Sequence, residues 1–179
     1  REKTYYPNLC LIQIASNEYA ACIDTTVIDD LSPLKKLIYS SAITKVFHAA
    51  SQDLEIFFNL YGDIPAPIFD TQIAASALGY GDQVSYAYLV KEICGVTLDK
   101  SLSRTSWDRR PLSNSELQYA LDDVKYLAKI YQHIKKELEL RKRSHWVTDE
   151  FLRLGAIEKY KINPSELWRS VKGFGKLES

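Results

Sequence analysis

The spacing of apolar residues predicts short strands in the first half of the chain. Residues 8–15 are largely apolar, and residues 19–23 follow them after a turn-forming sequence at 16–18. Two apolar segments separated by such a turn are typical of an antiparallel hairpin. Shorter apolar segments at 45–48 and 68–70 predict two buried strands further along the chain.

Helix start signals follow these strands and dominate the second half. Ser32-Pro33 predicts a helix to about residue 38, and Ser51 can cap a helix that ends near residue 60. A capping box from Ser113 to Glu116 begins the longest predicted helix, which runs to about residue 141. Shorter helices are predicted at 71–78, 85–93 and 148–159. Because strands come early and then alternate with helices, we expect an α/β domain built of layers.

Length and composition are those of one globular domain. The chain has 179 residues, of which 46% are hydrophobic and 26% charged, and these values exclude intrinsic disorder, a collagen-like repeat and a coiled-coil rod. No apolar run approaches the ~18 residues that a membrane-spanning helix needs, so we expect no membrane partner. The 23 basic and 23 acidic residues give a net charge of zero. A bound polyanion would therefore be held by local charge or by metal ions.

Three cysteines, Cys10, Cys22 and Cys94, are far apart and lack the spacing of zinc ligands. A few cysteines in odd number are typical of buried thiols in a reducing compartment, so we expect a cytoplasmic protein. The chain has no methionine and begins at Arg1, close to an apolar segment. Since translation starts at methionine, we expect this chain to be part of a longer protein.

The segment 47–53, which includes the end of the predicted strand at 45–48, carries the first candidate chemistry. It contains His48 and Gln52 and ends at Asp53, which we expect in the first turn of the next helix. Ligand-binding groups in α/β folds lie at the carboxyl ends of strands. The alternative needs no ligand, because the helix dipole alone favours an acid in a first turn.

Tyr119 and Asp123 form a second candidate site on the longest predicted helix. At ~100° per residue, the apolar stripe of this helix consists of Leu117, Ala120, Leu121, Val124, Ala128, Tyr131 and Leu138. Asp122 should then face water, whereas Asp123 lies at the edge of the stripe, one turn from Tyr119 on the same side. A carboxylate beside a phenol can hold a hard cation and orient a water molecule. The alternative is a Tyr–Asp hydrogen bond with no further role.

A polar loop at 95–111 combines cations with an aromatic side chain. The groups of interest are Lys100, Arg104, Trp107, Arg109 and Arg110. Such a set suits contacts with phosphates and bases of a nucleic acid. The ordinary alternative is a solvated basic loop in which Trp107 packs into the core.

In their order along the chain, these segments closely resemble the ribonuclease D family. That family belongs to the tyrosine-bearing branch of the 3′-5′ exonuclease superfamily named for four acidic residues. The resemblance covers nearly the whole chain and rests on Thr4-Tyr5-Tyr6-Pro7, Leu11-Ile12-Gln13, Phe47-His48-Ala49 through Asp53, Asp70-Thr71-Gln72, Gly95-Val96-Thr97-Leu98-Asp99-Lys100, Ser103-Arg104-Thr105, Trp107, Arg110-Pro111-Leu112 and Tyr119 through Asp123. The segment 163–172 resembles the beginning of the helical nucleic-acid-binding (HRDC) domain of that family and of certain helicases.

The resemblance implies a ribonuclease H-like 3′-5′ exonuclease fold, in which helices flank a mixed five-stranded sheet. It implies an exonuclease domain at 1–145, a connecting helix at 146–162 and the truncated start of an HRDC domain at 163–179. The implied activity is stepwise removal of nucleotides from RNA 3′ ends, notably in tRNA maturation. The first family motif, an Asp-x-Glu on the leading strand, has no counterpart here and is expected upstream of Arg1. We therefore expect this chain alone to be inactive.

The resemblance also implies roles for individual residues. Asp53 corresponds to the acid of the second motif, and Tyr119 and Asp123 correspond to the third. We hypothesise that two divalent cations, Mg²⁺ or Mn²⁺, clamp the scissile phosphate of RNA, with Asp123 and Asp53 as ligands and Tyr119 orienting the attacking water. The weaker candidates for contacts with the terminal nucleotide are His48, Gln52 and Lys100. RNA is the implied partner, and no obligate protein partner is evident.

Two other functions compete with this hypothesis. The first is a non-catalytic RNA-binding or scaffold protein that has the fold without its first acidic motif. The second is a DNA 3′-5′ exonuclease of the same superfamily, in which the metal site would be identical. The upstream sequence distinguishes the first alternative, and competition between RNA and DNA ends distinguishes the second.

Overall fold

The first sheet is an antiparallel hairpin, as predicted. The computed structural model describes residues 9–99, 101–102 and 105–161. Strand β1 (Leu11–Ala15) pairs with β2 (Ala20–Asp24), so that Gln13 lies opposite Cys22. The hydroxyl oxygen of Ser16 accepts hydrogen bonds from the backbone N–H groups of Glu18 and Tyr19, at 3.2 and 3.1 Å. A serine side chain therefore closes the turn.

The second sheet is a parallel pair. Strand β3 (Lys45–Phe47) lies beside β4 (Ile68–Asp70), with Phe47 opposite Asp70. Because parallel strands end at the same edge of a sheet, the segments that follow Phe47 and Asp70 begin side by side. This edge is where α/β folds place ligand-binding groups.

The implied five-stranded sheet differs from what the described residues form, which is four strands in two separate sheets. A cavity of about 500 Å³ lies between the sheets and is lined by residues of both β1 and β3. The two sheets are separate because, in the described ranges, β1 forms hydrogen bonds only with β2 and β3 only with β4. The edges of β1 and β3 that border the cavity are therefore not bonded to each other.

Seven α-helices occupy the described residues: α1 (Ser32–Ile38), α2 (Ser51–Tyr61), α3 (Thr71–Leu78), α4 (Tyr86–Leu89), α5 (Asn114–Lys125), α6 (Leu127–Leu140) and α7 (Ser144–Leu154). A π-helical turn (Val90–Cys94) extends α4, and a 3₁₀ turn (Ile157–Lys159) follows α7. The capping box of α5 forms as predicted. The helix predicted at 148–159 begins four residues earlier and ends earlier, because its last part is the 3₁₀ turn.

The long helix predicted from the capping box to residue 141 is in fact two helices, which meet at Tyr126. The cause is Tyr86, whose phenol donates a hydrogen bond to the backbone oxygen of Asp122 at 3.0 Å. The same phenol oxygen accepts a hydrogen bond from the backbone N–H of Tyr126 at 3.2 Å. These two groups would bond to each other in a continuous α-helix. A side chain inserted into the hydrogen-bond ladder therefore breaks the helix.

Among the described residues, two clusters of buried side chains form the core. In the larger one, α3, α6 and α7 pack around Phe69 of β4, and its members include Ile130, Ile134 and Val147. The smaller cluster joins the first turns of α2 to the end of α7 through Leu54 and Leu154, among others. The segment predicted as a connecting helix, 146–162, thus includes most of α7, which packs on this core. The predicted start of the HRDC domain at 163–179 lies outside the described residues.

The described helices include none that combines the length and the apolar character needed to cross a membrane.

Candidate active site

Asp53 and Asp123 line the same cavity, the one between the two sheets. Asp53 lies in the first turn of α2, directly after the carboxyl end of β3. Asp123 lies near the carboxyl end of α5, which packs across both strands of the hairpin. Apolar side chains from β1, α1 and α2 form much of the remaining wall. Two acids that are distant in sequence are therefore brought to one largely apolar cavity.

The surroundings of Asp123 disfavour its charged form. The residue is exposed overall, but the protein around its carboxyl group displaces part of the surrounding water, which raises its pKa to about 6, and the negative charge of Asp122 adds to this rise. Asp122 itself is half-buried rather than fully in water as predicted, and its Oδ1 accepts a hydrogen bond from Gln118 at 3.1 Å. A nearby positive charge would stabilise the ionised form of this carboxyl group and so lower its pKa.

Tyr119 lies one helical turn before Asp123 on α5 and is half-buried. Its ring packs against Trp107, with 6.1 Å between the ring centroids. Burial raises the pKa of the phenol above its usual value, and the charges of Asp123 and Asp99 raise it further. The phenol therefore keeps its proton at neutral pH and can donate a hydrogen bond.

Arg110 fixes the loop beside Tyr119. This residue is one of the loop cations that the sequence indicates as suited to contacts with phosphates. Its guanidinium donates to both carboxyl oxygens of Asp24, at 2.6 and 2.7 Å. It also donates to the backbone oxygens of Cys10, Trp107 and Arg109. These contacts use all five N–H groups of an arginine, so Arg110 joins the loop to the hairpin instead of reaching outward.

The other cations of this loop have different surroundings. Arg109 is largely exposed and forms an ion pair with Glu116 at 2.9 Å. Lys100 and Arg104 lie outside the described residues. Trp107 is half-buried against Tyr119, which agrees with the alternative in which this side chain packs inward.

His48 contacts the protein through both ring nitrogens. Nδ1 lies 3.0 Å from the hydroxyl of Thr71, and Nε2 lies 3.0 Å from the backbone oxygen of Val84. Burial lowers the pKa of the ring, which lies beside the ring of Tyr86 with 5.8 Å between centroids. His48 therefore joins the end of β3 to two other segments. Gln52 is exposed in the first turn of α2, next to Asp53.

Asp70 is not among the predicted site residues and occurs only in a segment that carries the family resemblance. It ends β4, is 2% exposed, and accepts four backbone hydrogen bonds. Two come from Gln72 and Ile73, at 2.8 and 3.4 Å, and cap α3. The other two come from Ala49 and Ala50, at 3.1 and 2.8 Å, in the turn before α2. An aspartate directly before a helix start was the available signal.

The prediction that Ser51 caps α2 is wrong. Ala50 occupies the cap position and Ser51 is the first helical residue. The hydroxyl of Ser51 instead accepts a hydrogen bond from Lys159 at 3.2 Å. Asp70 bonds to the N–H groups of Ala49 and Ala50, just before the helix, instead of those inside its first turn.

The donor atoms of the cavity suit a hard divalent cation, since carboxylate oxygens are preferred by Mg²⁺ and Mn²⁺. Within residues 9–99, 101–102 and 105–161, no group of three or more acidic, histidine or cysteine side chains converges on one point. Asp53 and Asp123 therefore fit as part of a ligand set. Further oxygen ligands from phosphate, water or other carboxylates would have to complete it.

Comparisons with known proteins agree with this arrangement. Residues 1–139 match the 3′-5′ exonuclease family. Over 174 residues the chain is 48% identical to ribonuclease D of Bartonella henselae, covering 97% of this chain and 43% of that protein. The crystal structure of Escherichia coli RNase D, an exoribonuclease involved in structured RNA processing, matches with a TM-score of 0.88 and 41% identity, over 95% of this chain and 45% of that one.

A second solved protein is also similar in structure. Two structures of Brucella melitensis NrnC, one with bound Mg²⁺ and one bound to pGG, match with TM-scores of 0.75 and 0.76. Each is 26% identical and covers 92% of this chain and 80% of NrnC. The chain spans less than half the length of the curated ribonuclease D relatives that it matches. The similarities confirm the resemblance to ribonuclease D and the ribonuclease H-like 3′-5′ exonuclease fold.

Proposed function

This chain belongs to the 3′-5′ exonuclease family, and we propose that it removes nucleotides from RNA 3′ ends by hydrolysis assisted by two divalent cations. The observation that carries the proposal is that Asp53 and Asp123, from separate helices, line one cavity at the ends of parallel strands. Two carboxylates in that relation can bring cations to a phosphodiester, and bound cations are one way in which a chain of zero net charge can hold a polyanion.

In this proposal Asp123 would hold a cation that activates the attacking water, and Asp53 would hold a second cation that stabilises the leaving 3′ oxygen. Mg²⁺ or Mn²⁺ would lower the pKa of bound water and neutralise charge that develops on the phosphate. The raised pKa of Asp123 supports its part, because a nearby cation stabilises the ionised form of such a carboxyl group. The Mg²⁺ bound in the NrnC structure supports the choice of a divalent metal.

Tyr119 orients the attacking water by donating or accepting a hydrogen bond. Its raised pKa keeps the phenol protonated, so it acts without ionising. Gln52 is an exposed neighbour of Asp53 and is proposed to contact the terminal nucleotide, as is Lys100. The protein contacts of His48 favour a positioning role over direct substrate binding.

The remaining cation ligands are proposed to come from an Asp-x-Glu motif upstream of Arg1. A strand placed between β1 and β3 would join the two sheets and border the cavity that Asp53 and Asp123 line. We further propose an exonuclease domain at 1–145, a connecting segment at 146–162 and the start of an HRDC domain at 163–179. A cytoplasmic location is proposed from the cysteine content.

The substrate is proposed to be the 3′ end of structured RNA, such as a tRNA precursor. The named role of the Escherichia coli relative in structured RNA processing supports RNA, and the pGG bound by NrnC supports a site that accepts short 3′ ends.

The test uses the full-length protein and an RNA carrying a 3′ label, with Mg²⁺, with Mn²⁺ and with chelator. We expect mononucleotide release that requires metal and is lost in Asp53→Asn. An unlabelled DNA of the same sequence should compete poorly. RNA binding without release in any metal would contradict the enzyme and favour a binding protein, whereas faster release from DNA would favour a DNA exonuclease.

A further inference from the structure

The turn between β3 and α2 has an unusual backbone. Ala49 has a φ of 59°, in the left-handed region that residues other than glycine seldom adopt. The residue is exposed, so packing of its methyl group does not hold it there. Such a conformation persists only where the surrounding contacts over-determine it.

One side chain supplies two of those contacts. Asp70 accepts the N–H of Ala49 through Oδ1 and the N–H of Ala50 through Oδ2, at 3.1 and 2.8 Å. Oδ1 also accepts the N–H of Gln72, at 2.8 Å. A single buried carboxylate thus joins the left-handed turn to the first residues of α3, which directly follow the neighbouring strand of the parallel pair.

The turn sets the direction of α2 and therefore the position of Asp53. The first hydrogen bond of α2 runs from the N–H of Leu54 to the oxygen of Ala50, at 2.9 Å. Ala50 and Leu54 are both fully buried, and Asp53 lies between them in the same turn. A rotation of the peptide groups at 49–50 would therefore swing the carboxyl group of Asp53 relative to the cavity.

We propose that Asp70 is a positioning residue of the active site, which acts by holding Ala49 in its left-handed conformation and so aims Asp53 into the cavity. The proposal rests on the proposed function of Asp53 as a cation ligand. Asp70 contacts no reacting group itself. A purely structural role would instead make Asp70 important for stability alone.

The experiment compares four variants of the full-length protein: Asp70→Asn, Ala49→Gly, the double variant and Ala49→Val. Asparagine keeps the shape of aspartate but replaces one acceptor oxygen with a donor group. Glycine adopts a positive φ without steric cost, whereas valine strains the turn and leaves Asp70 intact. Val147→Ala, a buried change on α7, is the control for loss of stability alone.

The readouts are kcat and KM on 3′-labelled RNA, the Mn²⁺ concentration for half-maximal rate, and amide hydrogen exchange of residues 49 and 50 without metal. In Asp70→Asn we expect kcat to fall about 10- to 100-fold, with KM for RNA nearly unchanged and a higher Mn²⁺ requirement. Exchange at 49 and 50 should rise while α6 stays protected. Ala49→Val should share the kcat loss, and Ala49→Gly should recover several-fold of the rate lost in Asp70→Asn.

The proposal is overturned if Asp70→Asn keeps the wild-type rate and Mn²⁺ requirement, or loses no more rate than Val147→Ala. It is also overturned if Ala49→Gly fails to recover rate in the double variant. If Asp70→Asn does not fold, the rate and the Mn²⁺ requirement of Ala49→Val are compared with those of the wild type and of Val147→Ala in the same way. A wild-type protein that does not shorten RNA would contradict the proposed function; the positioning role is then judged by hydrogen exchange and by the rise in Tm that Mn²⁺ produces in each variant.

Discussion

On the Asp53 side of the cavity, one buried carboxylate, Asp70, accepts four backbone hydrogen bonds at the starts of two helices. On the Asp123 side, helix α5 is held by side chains from separate parts of the chain. Tyr86 bonds to its carboxyl end, and Trp107 packs beside Tyr119. The first support is concentrated and the second is distributed. Loss of a single contact should therefore be severe on the first side and graded on the second.

The largest expected effect tests whether Asp53 and Asp123, one from each side of the cavity, act in the same hydrolysis reaction. Asp53→Asn and Asp123→Asn should each reduce metal-dependent release of 3′ nucleotides by about three orders of magnitude, because each removes a ligand worth several kcal/mol in the transition state. Circular dichroism should show both variants folded. Asp122→Asn, a change of the neighbouring acid, is the matched control and should stay within about threefold of wild type. Near-normal turnover in Asp123→Asn would remove this residue from the chemistry.

A smaller effect is expected for Tyr119→Phe, which keeps the ring against Trp107 and removes the hydroxyl. We expect kcat to fall about 10- to 100-fold, as for other groups that orient a metal-bound ligand, while KM for RNA changes little. Single-turnover and steady-state rates on labelled RNA measure both values. Tyr88→Phe, on the exposed face of α4, serves as the control. A change in KM alone would show that Tyr119 binds substrate instead of orienting water.

Tyr86→Phe tests whether the loss of one of the several contacts that hold α5, on the Asp123 side, has only a moderate effect. Loss of the hydroxyl removes the bonds to Asp122 and Tyr126 but keeps the ring beside His48. We expect a loss of about 1 kcal/mol in the free energy of unfolding, measured with urea, and a decrease in kcat of less than tenfold. A loss of rate as large as that of Asp70→Asn would break the distinction between the two sides.

The smallest expected effect is a pH dependence of stability without metal. Asp123 has a pKa near 6 in the folded chain, above the value of about 3.9 for an unfolded aspartate. The folded state therefore binds the proton more tightly, and stability should fall as pH rises from about 4 to about 6. In chelator, the Tm of Asp123→Asn relative to wild type should rise over this range. A constant difference between the two proteins would contradict the raised pKa.

Local hydrogen-bonding patterns account for the parts of the fold that were predicted. The hairpin turn at Ser16 and the capping box from Ser113 to Glu116 each involve residues two or three positions apart. Proline in the first turn of α1 acts within its own turn. Such signals can be read from the sequence because the interacting groups are neighbours along the chain.

The predictions that were wrong involve partners that are far apart in sequence. Ser51 was expected to cap α2, but Asp70 bonds to the preceding turn from about 20 residues away. The helix break at Tyr126 comes from Tyr86, 40 residues earlier. For Arg110 a phosphate contact was one of two alternatives, and the partner that occupies its guanidinium, Asp24, lies 86 residues away. In each case the sequence indicated the chemistry of the side chain but did not indicate which distant residue it contacts.

By itself, the sequence determined where most helices and strands lie, which side chains could bind a cation, and which family the chain resembles. These properties follow from residue type and from interactions within one or two turns. Only the tertiary structure decided that Asp53 and Asp123 share a cavity, that Asp123 has a raised pKa, and that Asp70 and Tyr86 hold the helices that carry them. Burial and long-range hydrogen bonds depend on which distant segments pack together, and that packing emerges only when the whole chain folds.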